Sequence, residues 1–407
     1  MTDDIVIVGA GQAGVQAVAS LRAEGFSGAL TLIGDEAFPP YQRPPLSKAY
    51  LAGELVRERL FLKPESFYSE NHCALRLNKK IVRIDREARQ VYLGDGESVP
   101  YGKLLLTTGA RVRKISVPGA DLPGIHYLRG IEDVDLLRPL IAPGKHLVVV
   151  GGGYIGLEVA AVAVKHGLKV TILEALERVM QRAVSPQLSK FYQDEHAAKG
   201  VQIKLGLSVQ GFEGAERVER VVTARESFDA DIVLVGIGVV PNAEIAEQAG
   251  LPTNNGIIVD AYTQTSDPNI FAAGDCTNHP TNFLGGDNDR IRLESVQNAI
   301  DQAKHAAMAM LGRPKPYHAV PWFWSDQYDL KLQIAGLARQ GDELVVRGDP
   351  AKRKFAVFHL AHGAINAVEA VNSAPEYIVG RTLIAEGKKI DAGQLIDSSV
   401  PMKSFLE

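Results

Sequence analysis

Cysteine is nearly absent from this chain of 407 residues: it has two, Cys73 and Cys276, far apart and in no CxxC spacing. That excludes a disulfide framework and a zinc site built on cysteine pairs. A basic excess is also missing. Lysine and arginine number 44 against 48 acidic residues, a net charge of −4, which is a poor match for a protein that tracks nucleic acid. No apolar run approaches the roughly 18 residues needed to span a bilayer. The opening "MTDDIVIVGAG" has no basic stretch ahead of its apolar run. No signal peptide is therefore expected, and the expected compartment is the cytoplasm. Ten histidines are scattered, and the close pair His359 and His362 lacks the glutamate of a zincin motif. It reads as a satisfied or solvated pair, and no metal is expected.

What is present is a repeated pattern. "DIVIVGAG" reads as a buried parallel strand, "QAGVQAVASLRAEG" as a helix ended by Gly25, and "ALTLIGDE" as the next strand, a βαβ unit. "HLVVVGGG", "YIGLEVAAVAVKHG" and "KVTILEA" repeat it, with Gly151 standing 142 residues after Gly9. A repeat at that distance duplicates a domain and is no solenoid period. Further strands are predicted at 103–110, 231–238 and 269–275, and an amphipathic helix over 294–311 stops before Gly312. From about 319, "VPWFWSDQYDLKLQIAG" and "KFAVFHLAHGAINAVEAVN" predict antiparallel strands with period-two alternation, hence a third, mixed domain.

Each glycine run has the form GxGxxG, follows a strand and opens a helix, the context a dinucleotide fingerprint requires. Gly9 and Gly151 permit the tight turn, Gly11 and Gly153 let the backbone approach a diphosphate, and Gly14 and Gly156 allow close helix–strand packing. The helix N-terminus then offers free N–H groups to the phosphates. An acidic residue for the ribose hydroxyls is expected about 20 residues on. Asp35, with Glu36 beside it as the alternative, lies 21 residues after Gly14, and Glu174 lies 18 after Gly156. Two complete copies suit two dinucleotides, one resident and one visiting, with FAD and a nicotinamide dinucleotide as the natural pair. Glu174 favours NADH, because a carboxylate repels a 2′-phosphate; Arg178 nearby is placed to soften that preference.

The motifs "VGAGQAG", "PPYQRPPLSKAYL", "LLLTTGAR", "YLRGIEDV", "GGGYIGLE", "NIFAAGDC", "LESVQNAI" and "VPWFWSDQ" run the length of the chain. In them it resembles the FAD-dependent, NADH-using ferredoxin reductases of bacterial oxygenase systems, the family of putidaredoxin reductase and dioxygenase reductase components. "RPPLSK" and "PWFWSDQ" are the more specific motifs. The resemblance implies an α/β fold like glutathione reductase: two Rossmann-like dinucleotide-binding domains plus a C-terminal α+β domain. The expected boundaries are 1–112 with 247–318 for the FAD domain, 113–246 for the NAD domain and 319–407 for the C-terminal domain.

By the same resemblance, Arg43, Lys48, Val82, Gly109, Arg129, Asp275 and Val296 contact FAD. Lys48 stands beside the reactive edge of the flavin, where a cation stabilises negative charge on the reduced ring. Glu158 approaches that lysine, unless it is a solvated helix residue. Trp324 lies near the flavin on the side facing the partner, whereas Trp322 is as readily a core residue. The redox cysteines of disulfide reductases are missing near "RPPLSK", so electrons leave the flavin without a thiol relay. The partner implied is a small [2Fe-2S] ferredoxin feeding a monooxygenase or dioxygenase, met by a basic patch to which Lys352, Arg353 and Lys354, or Lys388 and Lys389, contribute. A rubredoxin reductase, an NADH oxidase and a redox-sensing interaction protein like apoptosis-inducing factor are the alternatives.

Overall fold

The computed structural model describes residues 4–286 and 288–407. The chain divides into two compact units, each assembled from three stretches. One holds the residues up to Gln42, Leu60–Arg111 and Val240–Phe323; the other holds Arg43–Arg59, Val112–Val239 and Trp324–Glu407. Five helices among the described residues exceed ten residues: α1 (Gln12–Ala23), α2 (Tyr154–Lys165), α3 (Pro186–Ala198), α4 (Val296–Met310) and α5 (Ala374–Glu386). None is long and apolar enough to cross a membrane.

The first unit is built on a five-stranded parallel sheet in the order 270–272, 103–106, 5–8, 30–33, 73–76. The central strand Ile5–Val8 is buried along its whole length, which explains its unbroken Ile/Val run. Helices α1 and α4 supply Val15, Val18, Leu21, Ala303, Ala307 and Met310 to the core on one side of this sheet. A separate antiparallel meander, 81–85, 90–93 and 98–100, belongs to the same unit.

The second unit repeats that plan. Its parallel sheet runs 202–204, 169–173, 146–150, 232–235, 125–126. Its meander is 209–213, 220–223 and 227–229. The duplication therefore extends past the fingerprint to a whole sheet and its accessory strands.

From Trp324 on, the same unit carries a further five-stranded sheet, whose strands are ordered 322–327, 330–336, 364–371, 354–361, 343–349, with antiparallel pairing. Strands fall where the sequence predicts them, but the period-two burial does not hold in 354–371. Residues 355–360 and 365–371 are buried without interruption, because both faces of the sheet are covered. On one face α5 comes so close at Gly380 that a Cβ there would meet Val368 at 2.9 Å and Phe358 at 3.2 Å. On the other, Phe191 of α3 packs edge-on against Phe355 at 5.0 Å. Glu369 reaches from the sheet to the N-cap of α3, accepting from the Ser185 amide (2.8 Å) and hydroxyl (2.5 Å). His359 Nε2 stands 3.2 Å from the same carboxylate, so this histidine is a core partner of Glu369.

Candidate functional site

The first fingerprint sits at the C-terminal edge of the first unit's sheet. Val8, Leu106 and Ala272 are register neighbours, so Gly9, the 107–109 turn and Asp275 all emerge along one edge. Ligands of open α/β sheets bind at that edge. Gly9 adopts φ +114°, and a Cβ on it would lie 2.1 Å from the Thr107 carbonyl oxygen. Thr107 Oγ1 in turn donates to the Gly9 carbonyl at 2.8 Å. A Cβ on Gly14 would strike the Gly9 carbonyl at 2.1 Å, whereas one on Gly11 would meet nothing within 4 Å. The first and third glycines are thus demanded by the protein, and the second faces open space.

Helix α1 begins at Gly11 with no side-chain cap and no acidic residue in its first turn. The second fingerprint is built alike. Gly151 (φ +107°) and Gly156 are closed in by backbone, Gly153 is open, and α2 starts uncapped. By contrast, Ser185 and Ser295 cap α3 and α4 through the amides of Leu188 and Asn298. α5 also lacks a side-chain cap but has a proline and Glu376 in its first turn; α1 and α2, with neither, leave their N-terminal N–H groups to a phosphate. This open, donor-lined cradle fits a dinucleotide diphosphate at each fingerprint.

The acidic residues differ between the copies. Gly9 N–H donates to Ile33 and Gly151 N–H to Leu173, so Gly34 is the structural counterpart of Glu174 and Asp35 lies one residue further on. Asp35 is exposed; Glu36 is half-buried and accepts from Tyr41 Oη. Glu174 Oε2 accepts from Gly152 N–H (2.7 Å) and Oε1 from Leu176 N–H (2.8 Å), which holds the carboxylate at the turn. Arg178, expected to soften the preference for NADH, is held by neutral acceptors that leave its charge in place. Its guanidinium is spent on the carbonyls of Val184 (2.7 Å) and Gln181 (3.0 Å) and on Ser189 Oγ (2.6 Å).

Lys48 and Glu158 meet within the second unit. Residues Pro44–Ser47 form one 3-10 turn with proline in its first positions, and Lys48 follows with its Nζ 2.7 Å from Glu158 Oε2. Glu158 is 3% exposed and is no solvated helix residue. Ser47 donates to its Oε2, and Ser325 Oγ donates to its Oε1 at 2.6 Å. Ser47 thereby serves the carboxylate and caps no helix. The lysine keeps 21% of its side chain exposed, so the pair presents a cation backed by a buried anion.

Arg43 Nη1 donates to the Arg129 carbonyl at 2.7 Å, and the Arg129 and Gly130 amides donate to Asp133. Trp324 is half-buried on strand 322–327. Alternation puts it on the face opposite Ser325 and Gln327. Val296 is the first residue of α4, and Gly109 has φ +63°. Val82 stands on the separate meander, 48% exposed. Of the expected basic patch, Arg353 is committed to Asp329 (2.5 Å) and Glu195 (3.1 Å) and does not offer a spare charge. Cys73 and Cys276 are buried free thiols; burial pushes Cys73 up to about 11 and raises Cys276 as well. The residues missed from sequence are Ser47, Ser325, Gln327, His196 and Tyr328. Ser325 and Gln327 carry one weak signal, polar residues at alternate positions of a strand rich in aromatics.

Two family models match the chain: pyridine nucleotide-disulphide oxidoreductase over residues 3–303 and reductase C-terminal over 322–406. Rhodocoxin reductase of Rhodococcus erythropolis is 45% identical over 98% of this chain and 93% of its own length. The 5,5'-dehydrodivanillate O-demethylase ferredoxin reductase subunit of a Sphingobium species is 43% identical over 99% and 98%. The crystal structure of the covalent putidaredoxin reductase–putidaredoxin complex superposes with a TM-score of 0.95 at 39% identity, covering 99% of this chain and 98% of that one.

Proposed function

Because this chain belongs to the pyridine nucleotide-disulphide oxidoreductase family and carries its reductase C-terminal domain, we propose that it is an FAD-dependent ferredoxin reductase. It takes electrons from NADH and delivers them to a small [2Fe-2S] ferredoxin that serves a monooxygenase or dioxygenase. Bound FAD supplies the exchange between a two-electron hydride donor and a one-electron cluster. The observation that carries the reading is the pair of uncapped helix N-termini, each behind its own GxGxxG turn.

In this reading the first fingerprint (Gly9, Gly11, Gly14) with Asp35 holds FAD, and the second (Gly151, Gly153, Gly156) with Glu174 holds NADH. Arg43, Lys48, Val82, Gly109, Arg129, Asp275 and Val296 serve the flavin, as the resemblance implies. Lys48 supplies positive charge for the reduced ring, Glu158 orients Lys48, and Trp324 serves the electron exit. Neither Lys48 nor Glu158 has to move a proton for hydride transfer, so their part is positioning and electrostatics. Both thiols being buried supports an exit without a cysteine relay. The dependence on NADH supports a cytoplasmic location.

The test is anaerobic. NADH should bleach the yellow holoprotein, and oxidised [2Fe-2S] ferredoxin added next should restore its colour. Failure to bleach removes the hydride step. Bleaching followed by reoxidation with rubredoxin or oxygen alone replaces the acceptor.

A further inference from the structure

Behind Glu158 the buried polar side chains of the second unit form one line. Tyr328 Oη lies 2.9 Å from His196 Nδ1, and His196 Nε2 lies 2.8 Å from Gln327 Oε1. Gln327 Nε2 donates to Ser325 Oγ at 3.2 Å, and Ser325 Oγ donates to Glu158 Oε1 at 2.6 Å. His196, Ser325 and Gln327 are each at most 1% exposed.

The donor inventory sets the direction of the whole line. A carboxylate oxygen only accepts, so the Ser325 hydrogen is committed to Glu158. Ser325 Oγ then receives from the Gln327 NH2, which turns the amide oxygen toward His196. His196 therefore carries its hydrogen on Nε2, and Nδ1 accepts from Tyr328. Burial holds the His196 ring below its ordinary pKa, in keeping with this neutral tautomer. Every bond points the same way, and aligned bonds polarise one another in a low-dielectric interior. Tyr328 occupies the left-handed region at φ +58°, where a bulky residue is an outlier, at the hairpin position from which its hydroxyl reaches His196.

We propose that Ser325, Gln327, His196 and Tyr328 are positioning residues for the Lys48–Glu158 pair. Their hydrogen-bonded line sets the rotation of the Glu158 carboxylate and so the place of the Lys48 ammonium during hydride transfer. The inference rests on the reading of Lys48 as the cation that serves the flavin. Of the two Glu158 oxygens, Oε2 is shared by Ser47 and Lys48, whereas Oε1 has Ser325. Without Ser325, Oε1 is left buried and unsatisfied, and the carboxylate turns to find a donor, taking Lys48 with it.

The test uses the holoprotein under anaerobic stopped flow. Ser325→Ala should lower the limiting rate of flavin bleaching by NADH about tenfold while half-saturation moves less than about twofold. The flavin midpoint potential, which needs no turnover, should fall as the cation drifts. Gln327→Met keeps the volume, removes both bonds, and should shift rate and potential in the same direction by less. In a Glu158→Gln background, Ser325→Ala should cost less than about twofold, because the line then has nothing to hold. Single variants that both match wild type in rate and potential overturn the proposal, as does a full tenfold loss that persists alongside Glu158→Gln. A wild type that NADH does not bleach overturns the reductase reading and this inference with it. A wild type that bleaches beside indifferent variants overturns the positioning line alone.

Discussion

Glu174→Gln separates the two tasks assigned to that carboxylate. Each oxygen already accepts one backbone N–H, from Gly152 and from Leu176. A carboxylate offers about four lone-pair sites, so each oxygen keeps one for a ribose hydroxyl. Glutamine keeps one oxygen and turns an NH2 against the other amide. A hydrogen bond to a charged group is worth about 1.5–3 kcal/mol, and about 1.4 kcal/mol is tenfold in affinity. The KM for NADH should therefore rise about 10- to 100-fold. The ribose is bound alike before and during hydride transfer, so kcat at saturation should change less than about threefold. Glu174→Arg should in addition move the ratio of NADH to NADPH efficiency toward NADPH, since it replaces a carboxylate that repels a 2′-phosphate by a cation that attracts one. The assay is steady-state reduction of an artificial acceptor with each nucleotide. A KM within twofold of wild type for Glu174→Gln, with an unmoved ratio for Glu174→Arg, refutes a ribose contact and leaves Glu174 as a brace of the turn.

Gly9→Ala forces a Cβ to within 2.1 Å of the Thr107 carbonyl oxygen and should give insoluble or colourless protein. Gly11→Ala meets no protein atom, so it should fold with an unchanged far-UV spectrum and lose flavin on dialysis; a folded Gly11→Ala that keeps its flavin as wild type does would refute the cradle. His279 is buried edge-on against Tyr317, and burial, helped by Arg290, pushes it down to about 4. Below its unfolded value of about 6.5 the unfolded chain gains a proton that the folded one refuses. Stability is then full above about pH 6.5 and should fall by about 3 kcal/mol toward pH 4. Urea melts across that window should show a shallower slope for His279→Gln, and an identical slope would contradict it. Glu369→Ala leaves the Ser185 amide and hydroxyl without their buried acceptor and should cost about 3 kcal/mol, read as a lower melting temperature with the flavin spectrum intact.

The strand–turn–helix units were legible because their causes are local. A parallel strand covered on both faces reads as an unbroken apolar run, and the third glycine of each GxGxxG is demanded by the backbone oxygen of the first, Gly14 by Gly9 and Gly156 by Gly151, whereas the first is closed in by a distant strand end, Thr107 or Gly236. The C-terminal strands were also legible, but their burial was not. Alternation assumes one wet face, and only the tertiary structure lays α3 and α5 on opposite sides of 354–371.

The chain's own residue order settled the duplication and the places where a diphosphate is received, since the glycine pattern, the strand before it and the helix after it are written in consecutive residues. What folding alone decided is which distant groups share a charge. Lys48, Glu158 and Ser325 span more than two-thirds of the chain, and a buried carboxylate is tolerable only because two distant segments, one with Ser47 and Lys48 and one with Ser325, bring their donors to it.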